Sequence, residues 1–276
     1  MKIGTLSMEV MDTKSGELTH SLNGEDRLEC IIEAIEKFKP DLLVCAGWSL
    51  ETDEDLDNLR IDPRVKQRKG YAIVEVQKSS ATCLDPALRH RMFVLDPEGN
   101  VKSCGPQIFA RSSEMNGELG ECLNRRLLDH AEEKTFRAGN LTISCLCCGE
   151  INAIRGREEP EFVCSDVGEW LEKADIILNP THDRMGNSGT LKEKRKRLSQ
   201  QGLDGRPRAY ISVSNWNSRP VSKSPDRRPK PRQSPASRTL HTVYLNGHRR
   251  DDLKSCTADP GRRYEYREIN LEAFYL

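Results

Sequence analysis

The stretch Leu141 to Glu150, LTISCLCCGE, constrains this chain more than any other. Its Leu, Ile, Thr and Cys residues suit a buried strand, and the run halts at Cys148-Gly149-Glu150. A cysteine at the end of a buried strand, beside a glycine that frees the backbone, is where a fold can hold a nucleophile on a rigid support. A thiolate there can attack, and backbone N–H groups just past the strand can stabilise the oxyanion that forms. The same residues also suit plain packing, because free cysteine is among the most buried side chains. The segment alone leaves both readings open.

Length and charge narrow the field. A chain of 276 residues fits one large α/β domain or two small ones. Its 43 basic and 43 acidic residues balance, so no net field draws it to nucleic acid or membrane. No stretch is apolar over the length of a bilayer crossing, and the opening MKIGTLSMEV lacks the apolar core of a signal peptide. The 10 cysteines follow no framework spacing and, without a secretion signal, read as reduced thiols of a cytoplasmic protein.

Strand and helix patterns alternate along the chain. Met1 to Ser7 reads as a strand, and helical periodicity from Asn23 sets Leu28, Ile31, Ile32, Ile35 and Phe38 on one face until Pro40. Asp41 to Cys45 is a continuous apolar run, the mark of a buried parallel strand. The acidic stretch from Glu51 to Asp57 predicts a second helix. Tyr71 to Val76 and Met92 to Leu95 predict strands, the latter closed by the turn Asp96-Pro97-Glu98-Gly99. Leu141 to Cys147 and Ala174 to Leu178 predict two neighbouring central strands, with a short helix over Gly168 to Lys173 between them. Thr190 to Gln201 is a basic helix, and Ala209 to Val213, Thr239 to Tyr244 and Tyr264 to Leu271 complete the strands. The alternation predicts an α/β layered fold in one domain, residues 1–276. Ser218 to Arg238, rich in Pro, Ser, Arg and Lys, lacks the apolar surface to offset its ordering entropy and predicts a flexible basic insertion.

The order and punctuation of these elements resemble the nitrilase, or carbon–nitrogen hydrolase, superfamily across nearly the whole chain. MKIGTL, a helix and PDLLV resemble that family's opening strand–helix–strand. MFVLDPEGNV resembles its hairpin, LTISCLCCGEI its nucleophile strand, and ADIILNPT the strand that follows. RAYISVSNWN and SRTLHTVYLNG fall in the expected order. The resemblance implies an α-β-β-α sandwich, a Glu–Lys–Cys triad and hydrolysis of nitriles, amides or carbamoyl groups, without a cofactor or metal. It implies a homodimer and a small-molecule substrate as well.

Residue by residue, the resemblance places Cys148 at the nucleophile, Gly149 at the usual aromatic and Glu150 at the acidic position. Thr181 follows Asn179-Pro180 as a small polar binding residue. The position of the family's general base falls at Gly47, and that of its lysine at Gln107, eight residues past Gly99. An auxiliary carboxylate is retained as Glu114. Loss of the base removes the group that carries a proton to the leaving amine, and loss of a donor at the oxyanion costs roughly 10²–10³ in rate. Substitutes within reach of the sequence are Glu51, Arg111 and His182, the last with Asp183 or Glu150 as its orienter. The resulting expectation is a solvent-reachable but slow thiol.

Two other chemistries compete for the same residues. Cys145, Cys148 and Cys164 offer a CxxC and a third thiol, but no further ligand pair completes a zinc site, and alternate strand positions face opposite ways. Lys192 to Arg197 and the basic insertion carry charge that phosphate contacts need, with little aromatic interleaving for base stacking. The function classes that survive are a divergent thiol hydrolase acting through Cys148 and a catalytically reduced nitrilase-like protein that binds a ligand or partner.

Overall fold

A computed structural model describes residues 1–13, 18–79, 91–182, 189–202, 205–218, 239–256 and 263–275. Most of the basic insertion, 219–238, lies outside the described residues, as does Asp183. Two sheets face each other. In the first, the strands run in the order Lys254–Cys256, Tyr264–Asn270, Lys2–Asp12, Leu42–Cys45, Tyr71–Lys78, Arg91–Leu95 and Val101–Pro106. In the second the order is His248–Arg249, His241–Leu245, Ala209–Ser214, Ile176–Thr181, Leu141–Cys145 and Thr135–Ala138. Leu141–Cys145 and Ile176–Thr181 are adjacent and parallel, with Ile176 opposite Ile143 and Leu178 opposite Cys145.

Side-chain alternation explains why both sheets are covered twice. Leu42 and Val44 point between the sheets with Ile73, meeting Ile143, Ile176, Leu178 and Ile211 from the other side. Leu43 and Cys45 point outward, with Val74, onto Ile31 and Ile35 of the helix Gly24–Phe38 and Leu56 of the helix Asp53–Ile61. Ile177 and Tyr210 point outward from the second sheet onto Leu127, Val167, Leu171 and Leu198 of three further helices. A strand buried on both faces must be apolar at successive positions, as DLLVC and DIIL are. The result is the α-β-β-α sandwich.

Some boundaries differ from the sequence expectation. The strand beginning at Leu141 ends at Cys145 rather than Cys147. Cys148–Ala153 forms a 3₁₀ turn. The acidic helix starts at Asp53, because Thr52 and Asp55 form a reciprocal capping box, and this leaves Glu51 in the short strand Leu50–Thr52. The basic helix is Thr190–Leu198, and it is less solvated than its charge suggests. Lys194 and Arg195 are buried, while Lys196 pairs with Glu193 and Arg197 with Glu172. After Ser214 the chain crosses to the first sheet, where Trp216–Asn217 pairs with Glu9 and Val10. Among the described residues no helix is long and apolar enough to cross a membrane.

Candidate active site

Several strands end at one edge of the seam between the sheets, the carboxyl edge at which open α/β sheets carry their sites. Cys148 lies just beyond Leu141–Cys145, His182 just beyond Ile176–Thr181 and Gly47 just beyond Leu42–Cys45, while Glu75 sits within Tyr71–Lys78.

Cys148 occupies a tight bend. Its φ is 34°, a left-handed value that non-glycine residues seldom adopt and that surrounding contacts must enforce. Those contacts are present. Asn179 Nδ2 donates to the carbonyls of Leu146, at 2.9 Å, and Cys148, at 3.1 Å. Tyr210 Oη donates to Asn179 Oδ1 at 2.9 Å, fixing the amide. Below the bend, the Cys147 amide donates to Glu150 Oε2 at 2.7 Å. Gly149 follows because nothing larger fits: a Cβ there would lie 2.1 Å from the Ala110 carbonyl oxygen, a backbone atom that cannot swing away. The bend leaves Cys148 partly exposed, whereas Cys147 is fully buried.

Partly exposed Cys148 lies beside His182, near enough to favour a charge on the ring. On its other side His182 Nε2 contacts Glu75 Oε1 at 2.6 Å, and the Glu75 side chain is 1% exposed. Burial works against a charge on His182, yet the Glu75 carboxylate and then Cys148 hold its pKa well above the ordinary histidine value. Trp48 stacks on the His182 ring, with centroids 4.4 Å apart and planes 19° from parallel. His20 lies beyond Trp48, edge-on at 6.4 Å. Burial, then Arg27, push its pKa down to about 3, so it is neutral.

Gly47 leaves the space that the His182 ring fills. A Cβ at this position would stand 2.4 Å from His182 Cδ2 and 3.0 Å from Glu75 Oε2. A side chain from position 47 and the His182 ring cannot share this space. The loop is latched to both sheets, with Gly47 N donating to the Thr181 carbonyl at 3.0 Å and Asn215 Nδ2 to the Gly47 carbonyl at 2.8 Å.

A second charged group lies behind the bend. Lys134 and Glu150 are fully buried and paired at 3.1 Å. Lys134 Nζ also donates to the Pro106 carbonyl at 2.9 Å and reaches Cys147 Sγ at 3.6 Å. Burial opposes the Lys134 charge, but Cys147 and Glu150 raise its pKa on balance. Burial pushes the Cys147 thiol well above its usual value despite the lysine.

The remaining residues singled out from the sequence sit as follows. Glu51 is held by Arg27 at 3.1 Å and by Lys78, so its carboxylate is already engaged. Buried Gln107 donates from Nε2 to the Phe109 carbonyl at 3.0 Å. Glu114 accepts from the amides of Ala110 and Arg111, at 2.8 and 2.6 Å, shaping the loop, and Arg111 itself is exposed. Glu150 pairs with Lys134 and braces Ile108 N at 2.8 Å instead of orienting His182. Thr181 Oγ1 turns to Ser214 Oγ at 2.6 Å, and its carbonyl anchors Gly47. Among the described residues no group of three His, Cys, Asp or Glu side chains is arranged to hold a metal ion.

Glu75, Lys134 and Trp48 belong to the site without standing out in the sequence. A lone carboxylate inside the apolar run YAIVEV was a usable signal, because a buried strand excludes an acid that has no partner. Lys134, within EEKTF, looks like any solvated lysine.

No protein-family model and no curated protein matches the chain. Among solved structures it is similar to the amidase of Nesterenkonia sp. AN1, at 12% identity and a TM-score of 0.53, over 100% of this chain and 94% of that one. A form of that amidase with acrylamide added at its active-site cysteine matches at 12% identity and 0.52, over 100% and 94%. A cysteine-to-alanine form in complex with butyramide matches at 12% and 0.51, over 100% and 92%. That amidase is described as belonging to the nitrilase superfamily. The fold of this chain is the nitrilase-type sandwich, in a divergent form.

Proposed function

We propose that this protein is a thiol hydrolase that cleaves a carbon–nitrogen bond in a small amide, with Cys148 as nucleophile, His182 as proton carrier and Glu75 as orienter. The observation that carries the reading is the series Glu75, His182 and Cys148, in which a buried carboxylate contacts the imidazole at 2.6 Å and the ring lies beside the cysteine. This set replaces the family's glutamate and lysine, and it changes the expectation for the thiol from slow to active. A cation beside a cysteine sulfur favours the nucleophilic thiolate.

The proposed cycle uses each group once in each direction. The sulfur, its proton held on His182, attacks the amide carbon and forms a tetrahedral intermediate. The C–N bond then breaks as His182 gives that proton to the leaving nitrogen, leaving a thioester on Cys148 and neutral His182. Water enters, His182 removes its proton, and the hydroxide attacks the thioester. Release of the carboxylic acid regenerates the starting pair. Glu75 holds the ring orientation and stabilises the imidazolium without taking up the proton. The solved amidase that binds butyramide supports a short aliphatic amide as the first substrate to try.

The test is ammonia release from butyramide, acetamide and acrylamide by wild type, Cys148→Ala and His182→Ala. Turnover by wild type that is lost in Cys148→Ala is the expected result. No turnover, with a Cys148 that alkylates no faster than a free thiol, would favour a ligand-binding protein on the same fold.

A further inference from the structure

We infer that Trp48 is a positioning residue for this site, fixing the plane of the His182 ring between Glu75 and Cys148 and closing their hydrogen bonds to water. The inference rests on the catalytic reading above. It starts from a backbone anomaly. Trp48 has φ 57°, a left-handed value that a bulky side chain avoids. Such a conformation persists only where surrounding contacts enforce it, and it is a pointer to function when it borders a site.

The enforcing contacts are specific. Buried Arg27 donates from Nη1 to the Trp48 carbonyl at 2.8 Å, and Glu51 holds Arg27 at 3.1 Å. On one side of Trp48, Gly47 is latched to Thr181 and Asn215. On the other, Ser49 Oγ accepts from the Glu75 amide at 2.9 Å. One short loop therefore touches the backbone of Glu75, the backbone leading into His182 and the face of the His182 ring. Without the left-handed turn, the indole could not lie on the imidazole while its neighbours keep these bonds.

The stack has a chemical consequence. At 4.4 Å and 19° the indole face covers one side of the imidazole. An aromatic face attracts a cation, so Trp48 favours the protonated ring. It also limits rotation of the ring, which must aim one edge at Glu75 and present another to the sulfur. The charged and titratable groups facing this ring are Glu75 and Cys148, with neutral His20 beyond the indole and Arg27, paired to Glu51, behind the loop.

Two measurements test the role. The first is the tryptophan emission of the full chain against pH, in wild type and His182→Ala. A protonated imidazole stacked on indole quenches it. Wild type should be quenched at neutral pH and brighten as the pH rises through the His182 ionisation, and His182→Ala should be flat over that range. Matching titrations would overturn the inference. The second is the pH profile of iodoacetamide alkylation at Cys148. Trp48→Leu should slow alkylation at neutral pH about tenfold, the change that one pKa unit brings. Trp48→Phe, which keeps a ring, should recover most of it. A slow His182→Ala beside an unaffected Trp48→Leu would remove Trp48 from the machinery and leave the hydrolase reading intact. Unchanged alkylation in His182→Ala would instead refute that reading itself.

Discussion

Replacing Glu75 by glutamine isolates the part of the site that the sequence hid. The carboxylate is 1% exposed and contacts His182 Nε2 at 2.6 Å, so the substitution removes a charge at close range with little change in volume. A hydrogen bond to a charged group contributes about 1.5–3 kcal/mol. For the imidazolium this corresponds to a fall of about one to two pKa units. Burial already presses His182 toward its neutral form, so with Glu75 gone the balance shifts away from the charged ring. Alkylation of Cys148, followed by mass spectrometry across the pH range, should then slow about ten- to a hundredfold at neutral pH. The effect on stability has a definite sign. The folded pKa of His182 lies above its unfolded value, so its contribution is fully present below the unfolded pKa and is lost as pH rises through the folded one. The stability gap between wild type and Glu75→Gln should thus be widest at about pH 6 and narrow in alkaline solution. An alkylation profile identical to wild type would refute the proposed role of Glu75.

Three other outcomes are expected. Lys134→Ala leaves the Glu150 carboxylate buried without its cation and should cost about 3–5 kcal/mol in urea unfolding, whereas Lys134→Met with Glu150→Gln should cost much less. Gly149→Ala forces a Cβ against the Ala110 carbonyl and should destabilise by about 1–3 kcal/mol while slowing Cys148 alkylation, as measured on the same purified variant. Deleting residues 219–238, whose composition offers almost no apolar anchor, should leave the melting temperature within a few degrees, and collapse of soluble expression would show that the segment packs.

The fold was legible because doubly buried strands leave a strong trace. DLLVC and DIIL lack the polar alternation of a half-exposed strand, and Pro40 and Gly99 punctuate what surrounds them, whereas Pro180 lies within the strand Ile176–Thr181. Cys148 was legible for the same reason, as the point where such a run stops. The rest of the site was not, because its groups converge from positions far apart in the chain. His182 can be weighed as a substitute base from the sequence, but its carboxylate partner comes from residue 75, whose local pattern shows only a strand. Glu51 looks available because it lies four residues beyond Gly47, although its acidic neighbourhood suggests a solvated helix start. Its actual engagement with Arg27 depends on a helix that begins 27 residues earlier, at Gly24. Gly47 could be seen as the absence of a carboxylate, but not as the space that an imidazole needs.

The contact at position 47 makes two arrangements of this edge mutually exclusive. A β-carbon there intrudes to 2.4 Å on His182 Cδ2, so a side chain at 47 could enter only if the ring left its place beside Glu75. Glutamate at position 47 combined with alanine at 182 would show whether the scaffold accepts a carboxylate where the imidazole now lies.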